Sequence, residues 1–317
     1  MKGKNTLFDS RRVSMELDFN LDERHHTEEM TEAMQRISIS GVQEKFPAVI
    51  DGGKIRIARD GERSTHILKP APWDASLNEK WHIPANEHLT MQIAAKVYGI
   101  ETAANGLCST PSGHSVYITR RFDISPDGTK YPMEDMATLV GRSEANEGIV
   151  FKYRGSYMEV AQAIRRYIPA WMVNMERFFE LVVFNYIYAN GDAHLKNFSL
   201  INVGGDYRLA PAYDLMNTAL HIRDEDFALS DGLSPALPKS DVYLHTGHPC
   251  RQDFGWFGNE AGIVGGRVNR ILDKYSTLPD AVSEMVLGSR LTKKLQRSYL
   301  KIVRERISRF VREDKEW

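Results

Sequence analysis

The sequence predicts an α+β fold with two lobes, a small antiparallel sheet followed by a mostly helical region. Apolar and polar residues alternate from Ile37 to Ala58 around an Asp-Gly-Gly turn, which is the pattern of a β-hairpin. From Asp135 onward, apolar residues recur at three- and four-residue spacing, which is the period of amphipathic helices. The 317 residues of the chain are enough to form both lobes.

The other elements follow from local patterns along the chain. Residues 1–35 are rich in charge and are expected to form a partly mobile arm, and residues 222–265 are expected to be irregular. Apolar runs between turn residues predict strands, and apolar stripes predict helices. The expected strands are one that ends with His66–Lys69, then Ala103–Ser109 and His114–Phe122, and the expected helices are Leu89–Tyr98, Tyr157–Tyr167, Met175–Ala189, Ala281–Gly288 and Leu291–Arg312.

Composition argues against several classes of function. The formal net charge is −1, so no overall basic field indicates nucleic-acid binding. The final predicted helix has a basic face that includes Arg304 and Arg306, which we interpret as a solvated surface. Two distant cysteines make neither a disulfide framework nor a metal motif. The N-terminus lacks a signal-peptide core and no apolar run is long enough to cross a bilayer, so we expect a cytoplasmic protein without membrane contact.

One polar segment, Ala189–Leu200, has the clearest chemical pattern. Asp192 and Asn197 are five positions apart, and Asp214 follows Asn197 by seventeen positions. Protein kinases use this spacing for an Asp that faces the substrate hydroxyl and an Asn that holds Mg²⁺, with a second metal-binding Asp further on. Phosphoryl transfer needs such groups because negative charge spreads over the γ-phosphate oxygens. Lys196 is cationic and could neutralise that charge.

The same segment also fits an ordinary turn. Asn, Gly and Asp favour turns for local hydrogen-bonding reasons, so the Asp192–Asn197 pair alone does not decide between the two interpretations. Residues 178–189 are almost wholly apolar and aromatic, which predicts a buried helix that Asn190-Gly191 would end. A polar loop delivered by a buried helix suits a catalytic platform better than a surface turn.

Further stretches join this segment in a resemblance to a known family. Gly191–Ser199 followed by Tyr207–Leu215, together with Ser38–Lys45, His66–Lys69 and Arg121–Asp123, resemble the HipA-like serine/threonine kinases, the toxin components of bacterial toxin–antitoxin systems. The resemblance covers most of the chain from about residue 36. It implies a two-lobed protein-kinase-like fold and transfer of the γ-phosphate of ATP, with Mg²⁺, to a protein serine or threonine.

The resemblance also implies roles for single residues. Asp192 would be the catalytic base, supported by His194 and Lys196, while Lys69 would position phosphates. Asn197 and Asp214 would hold the metal. Glu87 is the candidate partner of Lys69, although an exposed Glu in a first helical turn is an alternative. The phosphate loop would contribute Ser40, Gly41, Val42 and Gln43 over the ATP phosphates, and the backbone near Phe122 would contact adenine. Arg120 stands where the family commonly has an acidic residue, which leaves the detailed adenine contacts open.

Ser38 and Ser40 have a second implied role. A serine in this loop of the family can be autophosphorylated, which inactivates the kinase. A phosphoserine adds about −1.5 to −2 charges where ATP phosphates must sit, so the loop would be repelled from the site. The sequence does not choose between the two serines.

The domain division that follows is an arm at 1–35, a sheet lobe at 36–130 and a helical lobe at 131–317. Longer members of the family have an N-terminal subdomain before the phosphate loop, so the resemblance implies a separate small protein in its place and a DNA-binding antitoxin as partners. The target would be a translation component such as an aminoacyl-tRNA synthetase. A kinase of small molecules and a catalytically silent module in a repressor complex are the alternatives.

Overall fold

The computed structural model describes residues 7–8, 11–21, 43–125 and 127–313. Within these residues it confirms the two-lobed α+β class. A five-stranded sheet forms the first lobe, and helices with a three-stranded sheet form the second.

The sheet of the first lobe is antiparallel throughout, with the order β2-β1-β3-β5-β4. The turn of the predicted hairpin is made by Gly52 and Gly53, whose positive φ angles of 54° and 78° favour glycine. One helix, α1, covers a face of this sheet. The elements are β1 Phe46–Asp51, β2 Lys54–Ile57, β3 His66–Lys69, α1 Ile83–Lys96, β4 Asn105–Ser109 and β5 Ser115–Arg120.

The two faces of this sheet contribute to separate hydrophobic cores. On one face, Leu17 and Leu21 of the N-terminal segment are buried with strand residues such as Phe46. Glu16 also forms a parallel bridge with Ser109 at the sheet edge. Residues 11–21 of the expected arm therefore pack on the sheet through their apolar side chains. On the other face, α1 joins the large core of the second lobe.

The second lobe is mostly helical, as predicted. Its small sheet has the order β6-β7-β8 and carries the segment that leads to Asp214. Residues 222–265, expected to be irregular, contain two helices, α6 and α7. The elements are β6 Met133–Asp135, α2 Met136–Leu139, α3 Glu144–Glu147, α4 Tyr157–Tyr167, α5 Trp171–Ile187, β7 Ser199–Val203, β8 Asp206–Leu209, α6 Asp241–Thr246, α7 Arg251–Glu260, α8 Gly265–Asp273, α9 Asp280–Leu287 and α10 Lys293–Phe310.

Helix α5 is the central helix of this lobe and delivers the polar segment. From Phe178 to Ile187 it is buried except at Glu180. The helix ends in a Schellman motif, in which the Asn190 amide donates to the Asn185 carbonyl at 2.8 Å. The left-handed residue of the motif is Ala189 (φ 51°) rather than a glycine. The chain thus leaves a fixed helix end directly into the candidate site.

None of the helices within the described residues combines the length and the apolar character that crossing a membrane requires.

Candidate active site

The polar segment folds tightly around the backbone of Asp192. The Asp192 carbonyl accepts the His194 amide at 2.8 Å and Asn197 Nδ2 at 2.9 Å. A 3₁₀ turn, Leu195–Asn197, follows. The side-chain nitrogen of Asn197, Nδ2, is therefore held by the loop, and the side-chain oxygen, Oδ1, is left for another partner. The segment is thus a hydrogen-bonded turn, and the same turn gives Asp192 and Asn197 the spacing that kinases use.

The Asp192 carboxylate is held by a tyrosine. Tyr153 Oη donates to Asp192 Oδ1 at 2.8 Å, which leaves Oδ2 for a further donor. Burial raises the pKa of Asp192, while this hydrogen bond and the nearby Lys152 lower it. Burial also raises the pKa of Tyr153, so the phenol stays protonated and continues to donate.

Two more tyrosines fix the backbone of the segment. Tyr157 Oη donates to the Ala193 carbonyl at 3.0 Å, and Tyr213 Oη donates to the Lys196 carbonyl at 2.8 Å. Both rings are largely buried in the helical lobe, so these hydrogen bonds anchor the segment to the core. Because both anchored carbonyls lie within four residues after Asp192, these tyrosines hold the loop that follows the carboxylate before any substrate arrives.

Asp214 meets the sheet lobe through two lysines. Its carboxylate forms an ion pair with Lys69 and a second with Lys45, at 3.6 Å. Burial alone would raise the pKa of Asp214, but Lys45 and Lys69 hold it well below its usual range. The backbone at Asp214 is left-handed (φ 56°), which is uncommon for a residue other than glycine. Asn190 Nδ2 donates to its carbonyl at 3.3 Å, which ties this conformation to the polar segment.

Lys69 joins the two lobes at the back of the site. Its ammonium lies 2.7 Å from Glu87 Oε1, and both side chains are almost fully buried, at 4% and 3% exposure. The predicted pairing of Lys69 with Glu87 is confirmed. Burial alone would lower the pKa of Lys69, but the carboxylates of Asp214 and Glu87 raise it. Burial raises the pKa of Glu87 despite the adjacent lysine. The Lys69 ammonium therefore forms ion pairs with two carboxylates, Glu87 from the sheet lobe and Asp214 from the helical lobe.

The oxygen atoms present fit a magnesium ion that is shared with phosphates. Asp214 is ionised and 27% exposed, and Asn197 has an amide oxygen available. Within the described residues, no group of three or more His, Cys, Asp or Glu side chains makes a metal site of its own. Mg²⁺ is typically held by one or two protein ligands together with substrate phosphates and water, which matches this ligand set.

The remaining residues of the prediction have different positions. His194 is buried, its ring packs edge-on against Tyr153, and burial lowers its pKa to about 3, so it is neutral. Its Nδ1 has no hydrogen-bond partner among the described atoms. Lys196 is half-buried and its ammonium lies 5.9 Å above the Phe151 ring.

The predicted cofactor-binding residues are only partly described. The Phe122 ring lies 5.6 Å from that of Tyr213, the residue before Asp214, and Gln43 Nε2 donates to the Pro70 carbonyl at 3.2 Å. The predicted phosphate-loop residues Ser38, Ser40, Gly41 and Val42 lie outside the described residues.

Sequence reasoning missed Tyr153, Lys152 and Asp224. Tyr153 lies in a 3₁₀ turn, 39 residues before Asp192, and no local pattern marks it. Asp224 accepts the Gly191 amide at 3.1 Å, and a Cβ at Gly191 would meet its carboxylate at 2.1 Å. Only the tertiary structure brings these side chains to the segment.

The hydrogen bond from Tyr153 predicts a change in pH dependence. In Tyr153→Phe the pKa of Asp192 should rise, because the donor that stabilises its ionised form is lost. A general base works only when ionised, so the acid limb of the rate–pH profile should move to higher pH. Tyr157→Phe removes a hydroxyl that donates to the Ala193 carbonyl of the same segment and does not contact the Asp192 carboxylate, so it should leave that limb in place. Steady-state rates from pH 5 to 9 would measure both, and equal shifts in the two variants would contradict the assignment.

Comparisons with known proteins show which proteins this chain is similar to. A family model described as the HipA-like C-terminal domain matches residues 37–281. A candidate kinase of Sinorhizobium fredii, Y4mE, is 26% identical over 79% of this chain and 56% of its own length. A candidate kinase of Haemophilus influenzae is 27% identical over 69% of this chain and 63% of its own. The serine/threonine-protein kinase toxin HipA of Shewanella oneidensis is 22% identical over 82% of this chain and 59% of its own. The chain thus spans between 56% and 63% of the length of these relatives.

Two solved structures share the fold. HipA of Shewanella oneidensis, in a complex of that toxin–antitoxin system with HipB and operator DNA, has a TM-score of 0.66 and 19% identity, covering 92% of this chain and 68% of its own. The proinflammatory kinase CtkA of Helicobacter pylori has a TM-score of 0.52 and 14% identity, covering 83% of this chain and 93% of its own. At these identities the likeness supports the two-lobed fold alone.

Proposed function

The chain belongs to the family of HipA-like C-terminal domains, and from that premise we propose that it is an ATP-dependent serine/threonine protein kinase that works with Mg²⁺. The observation that carries the proposal is the position of Lys69. It contacts Glu87 of the sheet lobe and Asp214 of the helical lobe, while Asp214 is tied through Asn190 to the segment that holds Asp192. This is the connection that a phosphoryl-transfer site between two lobes needs.

The residues have separate tasks in this proposal. Asp192, with one carboxylate oxygen held by Tyr153, orients the substrate hydroxyl through the other and takes its proton. Lys69 and Lys45 are the cations that would face phosphate oxygens, since both lie at Asp214. Asp214 and Asn197 would hold Mg²⁺, which neutralises the developing charge on the phosphate oxygens. Tyr157 and Tyr213 keep the segment in place through its backbone carbonyls.

The wider biological role extends the same proposal. The kinase would be the toxin of a bacterial toxin–antitoxin system, with a DNA-binding antitoxin as partner and a translation component as target. One relative supports this, because it is named a serine/threonine-protein kinase toxin, and HipA of the same organism has been solved in a complex with HipB and operator DNA. Autophosphorylation at Ser38 or Ser40, and a small protein partner, belong to the proposal as well.

Transfer of labelled phosphate tests the proposal directly. Purified protein with γ-labelled ATP and Mg²⁺ should incorporate phosphate into itself or into a serine- and threonine-containing protein substrate, and EDTA should stop it. Peptide mass spectrometry would locate any self-modification at Ser38 or Ser40. Nucleotide binding without any transfer, to itself or to substrate, would favour the silent module. Transfer to small hydroxyl compounds but not to proteins would favour a small-molecule kinase.

A further inference from the structure

A cleft of about 960 Å³ lies beyond the residues assigned above. Residues 223–239 form one side of it. The other side includes Tyr243 of α6, Asp253 of α7 and the pair Arg306 and Arg309 near the end of α10. Its volume is that of pockets that enclose a ligand of several hundred daltons. It is lined by both charged and apolar side chains, and neither the sequence patterns nor the catalytic geometry assigns it a role.

The cleft wall is hydrogen-bonded to the catalytic segment at one point and to the tyrosine that holds Asp192 at another. Asp224, at one end of the wall, accepts the amide of Gly191, the residue before Asp192. Further along, the Ser230 amide donates to the carbonyl of Tyr153, whose hydroxyl holds Asp192. The wall therefore begins at the backbone of the catalytic segment, and it contacts the tyrosine that holds the Asp192 carboxylate.

Most carboxylates of the cleft are already bonded within the protein. Asp253 accepts the Ser240 and Cys250 amides, both at 2.8 Å, and caps α7. Asp224 accepts the Thr218 hydroxyl as well as the Gly191 amide. These two groups stabilise the walls and are not placed to select a ligand.

Asp226 and the arginines of α10 form the far end of the cleft. Arg306 is 7% exposed, its guanidinium is ion-paired with Asp226, and it lies over the Tyr186 ring at 5.1 Å. His248 Nδ1 lies 2.7 Å from the other Asp226 oxygen. Arg309 is different: its side chain is 39% exposed, and its ion-pair contact among the described residues is a long one, 3.9 Å to Asp226. Its planar fork of donors is thus available to an incoming carboxylate.

We propose that this cleft binds the polypeptide segment that flanks the phosphorylated serine or threonine, with an acidic side chain of that segment received by Arg309. The inference rests on the proposed kinase function. A small hydroxyl compound would need contacts only at Asp192. The cleft extends from the Gly191–Asp224 contact to α10, so an occupant that reaches both ends while its hydroxyl faces Asp192 is an extended chain.

A peptide library tests the inference when it is supplied to the wild type and to two charge-reversal variants on α10, one inside the cleft and one outside it. The probe is a set of peptides with one central Ser or Thr and a single Asp, Glu, Lys or Arg scanned through the flanking positions, each supplied with Mg-ATP. The wild type should prefer an acidic residue at one position by about tenfold, the ratio that a single charge-assisted hydrogen bond of ordinary strength gives. Arg309→Glu should reverse the preference toward Lys or Arg at that position. Arg304→Glu, also on α10 but exposed and outside the cleft, should keep the wild-type pattern.

The outcomes separate this inference from the kinase proposal. ATP hydrolysis in the absence of peptide is measured for all three proteins. Suppose that all three proteins hydrolyse ATP. The assignment of the cleft is then overturned if Arg309→Glu keeps the preference for acidic peptides, or if the wild type shows no such preference. If the wild type hydrolyses ATP but phosphorylates no peptide, the cleft is not a peptide site. If the wild type neither hydrolyses ATP nor transfers phosphate, the kinase proposal itself fails, and the cleft assignment with it.

Discussion

Asp192→Asn is expected to lower the rate of phosphate transfer about a thousandfold, the middle of the range for loss of a general base, while ATP is still bound. The asparagine amide has the shape of the carboxylate, and its oxygen can still accept a hydrogen bond from the Tyr153 hydroxyl, which lies 2.8 Å from Oδ1 in the wild type. The backbone contacts that the Asp192 carbonyl makes with His194 and Asn197 do not involve the side chain. The variant therefore keeps the loop and loses only the negative charge and the proton acceptor. Initial rates of γ-phosphate incorporation, with titration of a fluorescent nucleotide for binding, would measure the two effects.

Asp224→Asn is the matched control for this change. Asp224 is also a partly buried carboxylate beside the segment, but it accepts the Gly191 amide instead of facing a substrate. An amide oxygen can accept the same hydrogen bond, so the rate should fall by less than about tenfold, the equivalent of one weakened hydrogen bond. Equal losses in the two variants would show that Asp192 supports the loop rather than the chemistry.

The sequence predicted those parts of the fold and the site that depend on local period or spacing. The bounds of α4 and the end of β3 are as expected, because their apolar residues keep one period. Lys69 and Glu87 were paired from a strand end and an early helical position, and they do meet. Such predictions need no knowledge of distant contacts.

Other features depend on contacts that no local pattern encodes. Helix α5 ends at a left-handed Ala189, where a glycine would have marked the position, because the Schellman hydrogen bonds and core packing offset the cost of about 1–2 kcal/mol. Helix α7 was hidden by its glycines and by a cap made by Cys250 and Asp253, an unusual residue pair for that motif. Tyr153 reaches Asp192 only through the tertiary fold.

The position of Arg306 in the helical period marks it as buried, whereas the basic composition of the helix leads to the wrong prediction of a solvated residue. The basic composition of the last helix predicts a solvated face, yet Arg306 is buried against Asp226. It lies three residues after Val303 and four before Phe310, both fully buried, so the helical period places it on the apolar stripe. A charged residue at such a position indicates a buried partner, which composition alone does not reveal.

Lys69→Met is expected to lower the free energy of unfolding by about 3–5 kcal/mol, the cost of breaking a buried ion pair by removing one partner, and to abolish phosphate transfer. Methionine fills a similar volume, so the loss is electrostatic. Glu87 and Asp214 would then face each other across the lobes, with Lys45 as the remaining ion-pair partner of Asp214 among the described residues. Urea denaturation, followed by far-UV circular dichroism, would measure the change in stability.

The loss of stability in Lys69→Met should depend on pH. Burial already raises the pKa of Glu87, and without Lys69 that pKa rises further above its unfolded value. A group with a raised pKa stabilises the folded state at pH below its unfolded pKa, and this contribution is lost as the pH rises through the folded pKa. The variant should therefore be closest to the wild type at mildly acidic pH and should lose stability toward neutral pH. A constant difference between pH 5 and 8 would show that Glu87 is not the group left unpaired.

The double variant Lys69→Met, Glu87→Gln separates the two functions of this lysine. The neutral amide carries no buried charge, so most of the lost stability should return, and the pH dependence should disappear with the titrating group. Phosphate transfer should not return, because no cation at this position faces the phosphates. Recovery of activity together with stability would mean that Lys69 only holds the lobes together, and the assignment of a phosphate-positioning role to it would be wrong. Recovery of stability alone would place the cation itself in the chemistry and leave Glu87 as the group that holds the cation there.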